Sequence, residues 1–85
     1  MKYSDCLAFL KPDEWAVVNK ITAVGKMRRR LLDIGLTPGT PVQCVGKSAL
    51  GDPSAYLIRG AVIAIRQRDA RDVLITKKGE GSKWD

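Results

Sequence analysis

A mainly β chain, folded as one small, partly open barrel with a single inserted helix, is what this sequence predicts, and three observations carry that reading. About five short β-rich runs recur along 85 residues, too few strands for two full sheets. Between the first and second runs the apolar pattern changes from strand alternation to a helical period. A chain of this length supports one domain around one small core. Curling the sheet on itself is how a few short strands cover such a core and limit exposed edges.

The elements follow in order. Ser4 is placed to cap a short helical turn through Leu10, with Leu7 and Leu10 on one face and Pro12 stopping the pattern. That turn reads as a lid on an open end of the core. Residues 15–24 are β-rich and read as the first strand. Val18 and Ile21 have opposite parity there, so burying both requires a bulge near Asn19-Lys20. Over 26–34, Met27, Leu31 and Ile34 fall at i, i+4 and i+7 and make one apolar helix stripe. Gly25 permits the turn into this helix, and Gly35 suits a left-handed position that ends it. Asp33, following Arg29 and Arg30 at helical spacing, predicts a weak surface ion pair.

Thr37-Pro38-Gly39-Thr40 has proline then glycine at its two central positions, the pattern of a type II turn. Residues 41–45 form a strand with Val42 and Cys44 on one face, and 47–54 form the longest loop. Residues 56–59 and 61–66 read as two strands meeting at Gly60, with Ile63 and Ile65 on one face and Val62 and Ala64 on the other. A charged turn over 68–72 tucks Ala70 inward, and 73–76 form a last strand. The polar, glycine-bearing residues 77–85 read as a flexible tail, which leaves residues 1–76 as the folded domain.

Composition restricts function. The chain is 45% hydrophobic and 28% charged, ordinary for a globular protein, with 15 Lys plus Arg against 9 Asp plus Glu and a net charge of +6. It has no histidine, which removes the commonest general base and the commonest metal ligand together. Cys6 and Cys44 have no metal-ligand spacing and read as reduced thiols, Cys44 as a small buried hydrophobe. No targeting segment is expected from the residues near the start, and no run approaches the ~18 apolar residues of a membrane span. No glycine-rich phosphate loop is present. No catalytic residue, cofactor or metal site is expected.

The most specific residues are Arg30-Leu31-Leu32-Asp33-Ile34-Gly35-Leu36-Thr37-Pro38-Gly39, followed by Val42 and Val45. This run resembles the signature of the FeoA family, the small ferrous iron transport protein A domains. Gly51-Asp52-Pro53, Arg59-Gly60, Ile63-Ala64-Ile65-Arg66, Ala70 and Val73-Leu74-Ile75 resemble the family's second half in order and spacing. The likeness runs from about Leu7 to Thr76. One departure is Pro12-Asp13-Glu14, where the family often has a glycine before the first strand. The resemblance implies an SH3-like barrel in a bacterial cytoplasmic accessory protein. Its partner would be the cytoplasmic part of a FeoB-type transporter, at the inner face of the membrane, with GTP hydrolysis belonging to that partner. Leu31, Ile34, Gly35, Leu36, Pro38, Gly39 and Gly60 read as the scaffold of the signature.

Partner contact is expected elsewhere. Arg28, Arg29 and Arg30 fan around the helix, with Arg28 facing solvent and the stem of Arg30 against the barrel. Such a face is a solvated one, a match for acidic protein or lipid, or a source of an arginine finger acting on a GTPase. Leu50, at the tip of the long loop, either caps the barrel or meets a partner, and Tyr56 beside it either offers the ring and hydroxyl favoured at interfaces or lies on the barrel wall. A small basic barrel also allows nucleic-acid binding. Against that, only 6% of residues are aromatic, with no row of aromatics interleaved with basic residues, and no stable nucleic-acid partner is expected. An exposed strand edge leaves room for weak self-association.

Overall fold

A computed structural model describes residues 5–80. Six strands run antiparallel in one sheet: β1 (Asp5–Cys6), β2 (Glu14–Ile21), β3 (Pro41–Lys47), β4 (Ser54–Ile58), β5 (Ala61–Ile65) and β6 (Val73–Glu80). They lie in the order β1-β6-β2-β3-β4-β5. A 3₁₀ turn over Leu7–Phe9 follows β1; helix α1 (Gly25–Asp33) follows β2, and the one-turn helix α2 (Gln67–Ala70) precedes β6. The mainly β fold with its helix between the first long strands agrees with the sequence reading.

Several boundaries differ. Residues 5 and 6 pair with Ile75 and Leu74, adding a sixth strand and shortening the N-terminal helical turn to Leu7–Phe9. Its first residue is preceded by Cys6 with no side-chain cap, and Ser4 lies outside the described residues. The strand expected to reach residue 24 stops at Ile21, with one further bond from the Thr22 N–H to the Asp72 carbonyl at 2.7 Å before the chain leaves for α1. The last strand does not stop at Thr76. It continues to Glu80, with Lys77 opposite Ala16 and Gly79 opposite Trp15, so residues 77–80 belong to the sheet and not to a tail. Pairing with β2 supplies what alternation in that polar run lacks. Residues 81–85 lie outside the described residues.

The bulge forecast from parity is present: Val18 pairs with Ile75 but Lys20 with Leu74, so Asn19 is the extra residue. Val18 and Ile21 are thereby both buried. The entry turn into β2 accounts for the sequence's departure at Pro12-Asp13-Glu14. Asp13 sits at φ 73°, a left-handed conformation that aspartate tolerates better than most side chains. The Lys11 N–H donates to the Glu14 carboxylate at 2.8 Å and Lys77 approaches it at 3.6 Å, and together they hold that carboxyl below its ordinary range.

Leu7 and Leu10 close one end of the core, which Val18, Leu31, Leu36, Val42, Tyr56, Ile58 and Ile75 fill. Helix α1 stops in a Schellman arrangement. The Gly35 N–H donates to Leu32 O and the Leu36 N–H to Leu31 O, with Gly35 at φ 109°. The chain then turns through Pro38-Gly39, where the Thr40 N–H donates to Thr37 O as the type II turn requires. Arg59 stitches this corner to the β4–β5 hairpin. Its Nε donates to Gly35 O at 3.4 Å, and its terminal nitrogen lies 3.1 Å from both Thr37 Oγ1 and Thr40 Oγ1.

Candidate functional site

Between α1 and β5 runs a groove of about 330 Å³. Met27 from α1, Ile34 at its C-cap and Ile63 from β5, all half-buried against the core, form its apolar floor. Arg30 on the helix and Arg66 and Arg68 around the start of α2 stand at its margin, with Asp69 as the one carboxylate among the lining residues. Among the described residues, the only ion pair is Glu14–Lys77, so none of these three arginines has a carboxylate within ion-pair distance there. Apolar surface ringed by guanidinium groups suits a ligand that is itself apolar with carboxylates beside it.

Local sequence explains the groove. Met27, Arg30 and Ile34 share one helix face, being three and seven residues apart, so a cation is built into the apolar stripe. That was the sequence signal for the site, and the sequence reading used it only to lay the stem of Arg30 against the barrel. Arg66 and Arg68 carried no such signal. They reach the groove because β5 ends where α2 begins, beneath α1. Arg59 was likewise visible only as part of a motif.

The expected contact residues are scattered. Arg28 is exposed, as expected, and its guanidinium also donates to Ile21 O at 3.4 Å, tying the helix to the end of β2. Arg29 is exposed beside Lys26 and Gly25, on another side of α1 from the groove. Both sit on a helix and not on a loop that reaches outward, which removes the geometric basis for an arginine finger. The expected pairing of Asp33 with Arg29 or Arg30 does not form within ion-pair distance. Tyr56 is not a surface residue at all. It is 1% exposed, with its hydroxyl donating to Leu7 O at 3.2 Å. Alternation along β4 places Ser54, Tyr56 and Ile58 inward, and the strand starts two residues earlier than expected. Cys44, opposite Tyr56, is also buried, and burial pushes its thiol up in pKa.

Leu50 is 93% exposed, so it does not cap the barrel. Its loop is nevertheless anchored. The Asp52 carboxylate accepts the Gln67 N–H at 3.0 Å, and Gln67 Nε2 donates to Gly51 O at 3.5 Å. Arg66, the residue before α2, makes no capping bond of its own, so Asp52 caps the helix from across the sheet. Asp52→Ala is expected to cost about 0.5–1 kcal/mol, read as a Tm lowered by a few degrees and faster amide exchange at Gln67. Pro53 carries the loop base to the groove wall.

Among the described residues, no three His, Cys, Asp or Glu side chains converge as a metal site would need. No described helix is long and apolar enough to cross a membrane. The fold is that of a small, mainly β domain of SH3-like type, with a groove beside its one long helix.

The FeoA domain family model matches residues 6–77, and the chain belongs to the FeoA family, which is associated with ferrous iron transport. A FeoA-like protein from Clostridium acetobutylicum superposes with a TM-score of 0.85 at 29% identity, over 96% of this chain and 95% of that one. FeoA from Chlorobium tepidum is 30% identical over 84% of this chain and 68% of that one, with a TM-score of 0.78. FeoA from Stenotrophomonas maltophilia, solved with zinc and described as a prokaryotic SH3 domain protein, shares the fold at 23% identity. There the TM-score is 0.77, over 87% of this chain and 95% of that one. No curated protein sequence matches the chain.

Proposed function

We propose that this chain is a non-enzymatic accessory protein of ferrous iron uptake that binds the cytoplasmic domain of a FeoB-type GTPase transporter and regulates it. The observation that supports it best is the groove beside α1, where Arg30, Arg66 and Arg68, without ion-pair partners among the described residues, surround Met27, Ile34 and Ile63. Such a surface binds a protein without performing chemistry on it. Membership of a family associated with ferrous iron transport supplies the pathway. The S. maltophilia relative is put forward as a ferrous iron transport activating factor, which agrees with a regulatory role. The chain works at the inner face of the membrane through its partner.

The test is calorimetric titration of the full chain with the soluble GTPase domain, with and without nucleotide. Saturable binding is expected, weakening as salt rises, and an Arg30→Glu, Arg66→Glu double variant is expected to bind at least about 10-fold more weakly, or ~1.4 kcal/mol. A flat titration in every nucleotide state overturns the proposal. A salt-dependent shift of mixed DNA or RNA together with that flat titration favours the nucleic-acid reading instead.

A further inference from the structure

The sheet has two edges, and they are finished differently. β1 is two residues long and begins with a charged side chain, Asp5. β5 at the other edge is Ala-Val-Ile-Ala-Ile, with no charge and no proline, and it pairs with β4 in unbroken register from Ala61 to Ile65. Edge strands are normally blunted by shortness, charge, proline or a bulge. β5 has none of these.

The hairpin fixes which backbone groups are open. Arg59 and Gly60 form a two-residue loop with φ 49° and 85°, so Ile58 and Ala61 are its hydrogen-bonded closing pair. Bonded and non-bonded pairs alternate along an antiparallel ladder. Val62 and Ala64 therefore turn their N–H and C=O groups away from β4, toward an edge that no described strand pairs. Both residues are exposed, Val62 by 64%. Helix α1 does not cover this edge, since the groove separates it from Ile63, Ala64 and Ile65.

We propose that β5 takes up an extended, acidic segment of the transporter's soluble domain as a seventh strand, paired through the backbone of Val62 and Ala64. The inference rests on the function proposed above and names how that partner is held. Charge selects the occupant. Arg59 stands at one end of β5 and Arg66 at the other, with Arg30 across the groove. A second copy paired antiparallel about Ile63 would bring the Arg59 end of one chain against the Arg66 end of the other, in molecules that each carry +6. A segment with a few apolar residues between carboxylates meets the same surface with opposite charge. Strand addition then gives affinity through main-chain bonds, and alternate side chains entering the groove give specificity.

The experiment is amide exchange on the full ¹⁵N-labelled chain, alone and saturated with the soluble GTPase domain. Exchange at Val62 and Ala64 is expected to slow at least about 10-fold in the complex, as for newly bonded strand amides. Ala64→Pro removes an edge N–H without touching the β4 ladder, and Arg66→Glu inverts the flanking charge. Each is expected to weaken binding at least about 10-fold, and Arg66→Glu serves alone if the proline variant does not fold. A complex in which both amides exchange as in the free chain, or in which Arg66→Glu binds unchanged, overturns this inference and leaves the proposed function standing. Absence of any complex overturns both. Protection of the two amides that rises with the chain's own concentration, without the domain, identifies a second copy as occupant and overturns the acidic segment.

Discussion

Gly35→Ala is expected to lower the stability of this fold by about 2–5 kcal/mol, far more than its size suggests, for two separate reasons. Gly35 holds φ 109°, which costs a residue with a Cβ about 1–2 kcal/mol. A Cβ there would also stand 2.9 Å from Arg59 Cδ and 3.1 Å from Ile58 Cγ2. Arg59 can swing away only by giving up its bonds to Gly35 O, Thr37 and Thr40, and Ile58 is in the core. Overpacking of this kind costs about 1–3 kcal/mol. Gly39→Ala is the matched control. Gly39 holds φ 91°, but a Cβ there meets nothing within 4 Å, so only the conformational part applies. Urea unfolding of the two variants separates the effects. Equal losses would show that the packing of Gly35 against Arg59 and Ile58 contributes nothing.

Alkaline unfolding is expected to be steepened by Tyr56. Burial pushes its phenol up to about 12, against an ordinary value near 10. A pKa raised in the folded state means stability fully present below the unfolded value and lost as pH rises through the folded one. The loss therefore falls between about pH 10 and pH 12 and totals about 2–3 kcal/mol. Tyr56→Phe removes that window. At neutral pH the substitution costs about 1 kcal/mol, a modest figure because Leu7 O keeps its bond from the Leu10 N–H. Cys44, also raised by burial, adds a loss of the same sign that begins lower, and the variant retains it. Stability measured from pH 8 to 12 should thus fall less steeply above pH 10 in Tyr56→Phe than in the parent. Parallel curves would mean that the phenol is not held neutral by the fold.

Both residues show what the sequence made legible. Gly35 was readable as a helix stop from the end of the Met27–Leu31–Ile34 stripe, since a left-handed residue after a helix is a local requirement. Its close approach to Arg59, 24 residues away, was not. Tyr56 was misplaced because a strand beginning at residue 56 leaves its facing open, whereas Ser54 and Ala55 extend the strand and settle the parity. The bulge at Asn19 was legible because Val18 and Ile21 demand it. The continuation of β6 through Lys77 and Gly79 was not, because a polar strand is defined by its partner.

The site divides the same way. Its cation on α1 was present in the helix period, where Arg30 shares a face with Met27 and Ile34. The groove itself required β5, the start of α2 and the loop base at Pro53 to meet α1. The sequence alone determined the fold class, the helix and its stop, the type II turn, the family signature and the absence of histidine chemistry, all matters of local spacing and composition. Only the tertiary structure decided that Tyr56 is core, that Asp52 caps α2, and that three arginines and the bare edge of β5 share one side of the barrel. Those depend on which distant segments pair, and pairing is set by burial across the whole sheet, not by neighbours along the chain.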